Sequence, residues 1–152
     1  MVNDKDIKTF KEVLKVFEKR STCARLQVAA IIVKDGRIIS TGWNGVTSGM
    51  MHCNKIFKYL KDSDREAHHH FSEINEVHSE QNAIAFAAKN GISTDNSVIF
   101  ISISPCTNCA KSIVACGIKE VYYVNKYDSE NSENAIQFLK NNNIKVQCIK
   151  NV

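Results

Sequence analysis

Two short motifs hold the side chains best suited to chemistry. His78 and Glu80 lie in "HSE", and Cys106 and Cys109 lie in "PCTNC". At a helix start, cysteines three residues apart share one face, with Cβ atoms roughly 5–6 Å apart. One histidine and two thiolates are ligands that zinc accepts, and three protein ligands leave a fourth position for water. The pattern therefore indicates a catalytic zinc site rather than a structural one.

Both motifs stand where a helix is predicted to begin. Residues two apart, such as His78 and Glu80, point to opposite sides in mid-helix. At the first turn, however, a metal approaches the helix end, so both can serve one reaction centre. The positive end of a helix dipole also favours thiolates at Cys106 and Cys109. Because two thiolates cancel the charge of zinc, its water needs a nearby base, and Glu80 is the candidate.

Taken singly, the motifs have simpler explanations. A lone C-x-x-C is also typical of a redox pair or of two buried thiols. His78 alone fits a histidine near a helix cap, and Glu80 alone fits a carboxylate that complements the helix dipole. The combination of H-x-E with a later P-C-x-x-C is the documented signature of zinc-dependent nucleobase deaminases.

The elements that must position these motifs alternate along the chain. Residues 4–20 predict an amphipathic helix, and two β-rich runs around Asp35-Gly36 predict a hairpin. Residues 43–76 look irregular, with a short helix over 54–61. The predicted order is α-β-β-α-β-α-β-α-β. It indicates an α/β fold with a largely parallel sheet and helices on both faces, in one domain spanning residues 1–152.

Composition narrows the function classes. The 152 residues are 43% hydrophobic and 24% charged, which is typical of a soluble globular domain. The net charge of +4 is mild and spread out, which disfavours a nucleic-acid surface. The sequence contains neither a membrane-length apolar run nor a signal-peptide pattern, so we expect the cytoplasm, of the host if the chain is viral. Six cysteines in such a chain favour metal binding or free thiols.

Three stretches resemble deoxycytidylate (dCMP) deaminases, particularly the bacteriophage type. They are "RSTCARLQVAAIIVKDGRIISTGWNG", "NEVHSEQNAI" and "SPCTNCAKSIVACGIKEVYYVNKY". The resemblance implies a cytidine-deaminase-like three-layer α/β/α sandwich with a five-stranded mixed sheet. A helix over 133–140 makes the last two strands parallel, as in the dCMP, tRNA-adenosine and polynucleotide-editing branches of that superfamily.

The resemblance also implies a reaction, the hydrolysis of dCMP to dUMP and ammonia, which supplies dUMP for dTMP synthesis. Zinc on His78, Cys106 and Cys109 would provide the hydroxide that attacks C4, and Glu80 would move protons as base and then acid. The implied substrate contacts are backbone groups near Ser79 and Ser104, and the side chains of Asn44 and Tyr127. Ser79 replaces the alanine usual in the family, with little expected effect.

Two further sites follow from the same resemblance. A structural zinc is implied on Cys23, Cys53, His68 and Glu76, with His69 or His70 as alternatives to His68. An allosteric nucleotide site, activated by dCTP with Mg²⁺ and inhibited by dTTP, is implied between the subunits of a homohexamer. Its candidate residues are Gly42, Trp43, Asn44, Gly45, Arg25 and Gln27, and Trp43 replaces the usual tyrosine.

Two other functions fit part of the sequence. A tRNA or polynucleotide adenosine or cytidine deaminase would need a basic or aromatic surface to hold the strand. A non-catalytic zinc-binding module would have no use for Glu80, which is not a ligand. The expected partners are therefore dCMP, dCTP and dTTP, with no membrane and no nucleic acid.

Overall fold

A computed structural model of the chain describes residues 2–152. Its helices and strands, in chain order, are α1 (Asp4–Glu18), β1 (Ala29–Lys34), β2 (Arg37–Trp43), β3 (Gly45–Val46), α2 (Cys53–Ile56), α3 (Arg65–Asn75), β4 (Glu76–Val77), α4 (Ser79–Lys89), β5 (Val98–Ile103), α5 (Thr107–Ala115), β6 (Glu120–Asn125), α6 (Glu130–Asn141) and β7 (Lys145–Cys148). A 3₁₀ turn over Asp62–Asp64 precedes α3. No helix among these residues is long and apolar enough to cross a membrane.

Five strands form one mixed sheet in the order β2-β1-β5-β6-β7. β1 runs antiparallel to both of its neighbours, whereas β5, β6 and β7 are mutually parallel. The α/β class, the five-stranded mixed sheet and the parallel last two strands are confirmed. The strand–helix alternation predicted more parallel pairing than the sheet contains, because β1 lies between β2 and β5 and runs antiparallel to both.

The sheet is covered on both faces, which confirms the three-layer arrangement. On one face, α1 packs Ile7, Phe10 and Leu14 against side chains that include Phe100 and Tyr122. On the other face, α4, α5 and α6 pack against alternate residues of the same strands. β1 is buried from both sides, as its continuous apolar run predicts.

Two local backbone features shape the β1–β2 hairpin and its contact with α4. The predicted hairpin turn is confirmed, since Asp35 and Gly36 both adopt positive φ, at 51° and 73°. Gly42 lies where β2 crosses the first turn of α4, and a Cβ there would overlap the carbonyl oxygen of Ser79 and the amide nitrogen of Ala83. The missing side chain therefore lets α4 begin directly against the sheet.

The region over 43–76 is more ordered than the sequence indicates. The helix predicted over 54–61 is shorter and lies at Cys53–Ile56. The prediction also missed α3, of 11 residues, and the small ribbon in which β3 pairs with β4. His68 is the buried residue of α3, so the helix has no apolar inner stripe for a periodicity argument to detect.

Candidate active site

The starts of α4 and α5 bring three metal-binding side chains together. His78 is the N-cap residue of α4, and Cys106 is the N-cap residue of α5. The Nδ1 atom of His78 lies 3.4 Å from the Sγ of Cys109 and 3.6 Å from the Sγ of Cys106. All three donor atoms lie within 4.8 Å of one another. This spacing suits three ligands of one tetrahedral ion.

The protonation of these donors also suits a metal. A hydrogen bond from the Cys109 thiol, helped by His78, lowers the pKa of Cys106 to about 4. The same bond, together with burial, raises the pKa of Cys109. The hydrogen bond to Cys106 also raises the pKa of His78. A divalent cation would displace protons from these donors and bind them as thiolates and neutral imidazole.

Glu80 lies beside this cluster and is only 5% exposed. Burial raises the pKa of its carboxyl group. Ser79 is also buried, and its hydroxyl donates a hydrogen bond of 3.0 Å to Oε2 of Glu80. The sequence prediction gave the Ser79 side chain no role of this kind. An alanine at this position could not make the bond, so this chain holds the carboxylate of Glu80 with an additional donor.

A cavity of about 400 Å³ opens onto the cluster. This volume is in the range of small-molecule sites. The four predicted substrate contacts all line it, namely Asn44, Ser79, Ser104 and Tyr127. Arg25 adds a cationic side chain to its wall. The structure therefore places the predicted substrate residues around one space that also contacts His78, Glu80 and Cys106.

Asn44 is already engaged in the fold. Its Oδ1 accepts hydrogen bonds from the Ser21 hydroxyl, at 2.6 Å, and from the Val28 amide, at 2.8 Å. Its Nδ2 donates to the carbonyl oxygen of Leu26 at 2.8 Å. One amide hydrogen thus remains for a ligand, and the side chain also holds the loop before β1.

A second cluster contains four buried donors, Cys23, Cys53, His68 and Glu76, all within 4.8 Å of one another. Nε2 of His68 lies 3.5 Å from the Sγ of Cys23. Nδ1 of His68 and Oε1 of Glu76 are buried without a hydrogen-bond partner among the described residues. Burial raises the pKa of Cys23, and it raises that of Cys53 to about 12. A bound cation would satisfy the carboxylate and ionise both thiols.

Of the three adjacent histidines, His68 is the one that joins this cluster. His69 is exposed and lies 3.4 Å from Glu73. The Ser72 hydroxyl donates to Oε2 of Glu76 at 2.6 Å, which orients the carboxylate. The sequence prediction did not include Ser72.

The predicted allosteric residues have separate roles within the chain. The Trp43 ring stacks on Phe17, with centroids 6.2 Å apart, and the Arg20 guanidinium lies 4.8 Å from its centroid. Gln27 donates to the carbonyl oxygen of Cys23 at 2.6 Å. Arg25 lines the large cavity, Gly42 packs on α4, and Gly45 pairs with Val77.

Comparison with known proteins identifies the family of this chain. Residues 3–125 match the family model described as the cytidine and deoxycytidylate deaminase zinc-binding region. The chain belongs to the cytidine and deoxycytidylate deaminase family. The H-x-E and P-C-x-x-C motifs and the four donors of the second cluster all lie inside the matched range.

Several phage deaminases are similar over nearly their whole length. The deoxycytidylate deaminases of Enterobacteria phages T2 and T4 are 32% and 34% identical, over 91% of this chain and 89% and 86% of theirs. The dCMP deaminase of cyanophage S-TIM5, in complex with dCMP and dUMP, superposes with a TM-score of 0.80. It is 30% identical, with 98% of this chain and 100% of that chain covered.

Two separate ligand clusters predict two zinc ions per chain. Replacement of Cys53 by serine should lower the bound zinc from about two to about one and reduce thermal stability, because metal binding contributes to folding. Cys148→Ser is the matched control, since Cys148 is exposed and lies outside both clusters. The measurement is metal content by mass spectrometry after gel filtration. One zinc in the parent protein would contradict the second site.

Proposed function

We propose that this deaminase hydrolyses dCMP to dUMP and ammonia. The observation that carries the proposal is the donor cluster of His78, Cys106 and Cys109 beside one cavity. Glu80 and Tyr127 line this cavity together with His78 and Cys106. The names of the T2, T4 and S-TIM5 relatives support dCMP as the substrate. We infer a single deaminase domain over residues 1–152 that acts in the cytoplasm and supplies dUMP for dTMP synthesis.

We assign the first metal to His78, Cys106 and Cys109. Zinc bound there would polarise a water molecule and lower its pKa. The two cysteines contribute negative charge, and the N-termini of α4 and α5 partly offset it. Because thiolates make zinc a weaker acid than neutral histidines do, the water requires a base within reach.

Glu80 is that base. As a carboxylate it would take a proton from the attacking water and deliver it to N3 of the cytosine ring. It would then take the second proton from the hydroxyl formed at C4 and deliver it to the amino group, which leaves as ammonia while the C4 carbonyl forms. Burial, which raises the pKa of Glu80, suits a group that must both accept and release a proton. The Ser79 hydroxyl holds Oε2, so the carboxylate keeps one orientation between the water and the ring.

The remaining cavity residues would bind the nucleotide. Backbone groups at Ser79 and Ser104 would read the edge of the base, and the free amide hydrogen of Asn44 would face the sugar. Tyr127 is 47% exposed at the cavity rim, where a phosphate can remain partly hydrated. Arg25 lines the same cavity and would complement the phosphate charge.

We also propose that the enzyme is a homohexamer regulated between subunits by dCTP with Mg²⁺ as activator and dTTP as inhibitor. The second cluster would hold a structural zinc. It shapes the same cavity, because Cys23, His68 and Glu76 line the cavity together with the catalytic residues.

Glu80→Gln should lower kcat by at least about 100-fold, because a neutral amide cannot shuttle protons. Both zinc ions should remain bound, since Glu80 is not a ligand. Glu66→Gln serves as the control, because Glu66 is exposed on α3. Ammonia release and metal content are measured on the same samples. An active Glu80→Gln enzyme would refute the mechanism.

Tyr127→Phe should raise the KM for dCMP by roughly 10-fold or more, the effect expected from losing one hydrogen bond to a charged group. Turnover of deoxycytidine, which has no phosphate, should not change. Steady-state assays with dCMP, CMP, deoxycytidine, dCTP and a single-stranded oligonucleotide compare the substrates. A parent enzyme that deaminates deoxycytidine but not dCMP would contradict phosphate recognition, and one that prefers the oligonucleotide would contradict a free nucleotide substrate.

Regulation is tested on the parent enzyme and on Trp43→Tyr. dCTP with Mg²⁺ should lower the dCMP concentration needed for half-maximal rate, and dTTP should raise it. Trp43→Tyr, which introduces the usual family residue, should leave both directions unchanged. Unaltered dCMP saturation curves with either effector would show that the parent enzyme lacks this regulation.

A further inference from the structure

The loop between β5 and α5 carries Cys106 and is held from outside the sheet. The Thr107 amide donates a hydrogen bond of 2.8 Å to Oδ1 of Asn131, in the first turn of α6. The hydroxyls of Ser104 and Ser132 lie 2.6 Å apart, and both are buried. The first turn of α6 thus makes hydrogen bonds to both ends of the segment from Ser104 to Thr107.

The contact from Asn131 supplies an acceptor at the start of α5. The first amide groups of a helix have no acceptor within the helix, and the side chain of the N-cap residue usually accepts from the second or third of them. The N-cap residue of α5 is Cys106, whose sulfur faces His78 and Cys109. The first amide of α5, that of Thr107, donates instead to a side chain 24 positions away.

The same segment reaches the substrate cavity. The Tyr127 amide donates to Oγ of Ser104 at 2.8 Å, so the residue at the cavity rim is tied to the loop that precedes Cys106. Asn131 is exposed, and its backbone lies in a regular helix. Its side chain can therefore be changed without opening the core of the sheet.

We propose that Asn131 is a positioning residue for the catalytic metal ligand Cys106. By accepting the Thr107 amide, it fixes the start of α5 and holds the Cys106 sulfur in place for the ion and the reaction. The inference rests on the proposed zinc site of His78, Cys106 and Cys109. None of the four donors of the second cluster belongs to α5 or α6, so Asn131 should act on one metal only.

Three variants separate positioning from general stability. Asn131→Ala removes the acceptor, whereas Asn131→Asp retains a side-chain oxygen at the same length. Asn134→Ala is the matched control, because Asn134 is an exposed residue of the same helix and has no side-chain hydrogen bond within residues 2–152. Each zinc-loaded protein is mixed with a chromogenic chelator, and zinc release and residual dCMP turnover are followed together.

In the parent, the zinc lost in step with activity is the catalytic one. Asn131→Ala should release this zinc roughly 3- to 30-fold faster, the range expected for the loss of one helix cap. The release of the other zinc should not change. Asn131→Asp should restore the slow release, and Asn134→Ala should match the parent. In cobalt-loaded protein, Asn131→Ala should also shift the thiolate-to-cobalt absorption band, whereas Asn134→Ala should not.

Parental release rates and an unshifted cobalt band in Asn131→Ala would overturn the inference. Equal acceleration of both zinc ions would also overturn it, because that result indicates general destabilisation. Failure of Asn131→Asp to restore slow release would overturn the role of the oxygen acceptor. A parent protein without zinc on His78, Cys106 and Cys109 would instead refute the proposed function, and the inference with it.

Discussion

The first residues of α4 and α5 must lie within a few ångströms of each other, and the rest of the fold holds them in this position. His78 at the start of α4 and Cys106 at the start of α5 hold their donor atoms within one coordination sphere. Gly42 lets α4 begin directly against β2, while β5 delivers the loop that leads into α5. The positive ends of the two helix dipoles then face a site that contains the sulfurs of Cys106 and Cys109.

The two ligand clusters are parts of one structure. Glu76 belongs to the second cluster and His78 to the first, and only Val77 separates them. The ribbon of β3 and β4 holds this junction, because Gly45 pairs with Val77. Donors from both clusters line the same cavity, so the side chains of the second cluster also shape it.

Hydrogen bonds within the chain orient several side chains around the cavity. Ser79 holds Glu80, Asn44 holds the loop before β1, and Ser104 accepts the amide of Tyr127. Such prior orientation reduces the reorganisation required during a proton transfer. Trp43 is likewise packed, against Phe17 and Arg20.

The sequence by itself determined the catalytic motifs, the fold class and the parallel last strands, because ligand spacing and strand–helix alternation are local patterns. It also indicated the four donors of the second cluster, through a family resemblance. Only the tertiary structure decided that His68 rather than His69 joins them, that α3 is a helix, and that Asn131 caps α5. These features depend on contacts between distant segments, or on a helix whose buried face is polar, and neither leaves a hydrophobic period in the sequence.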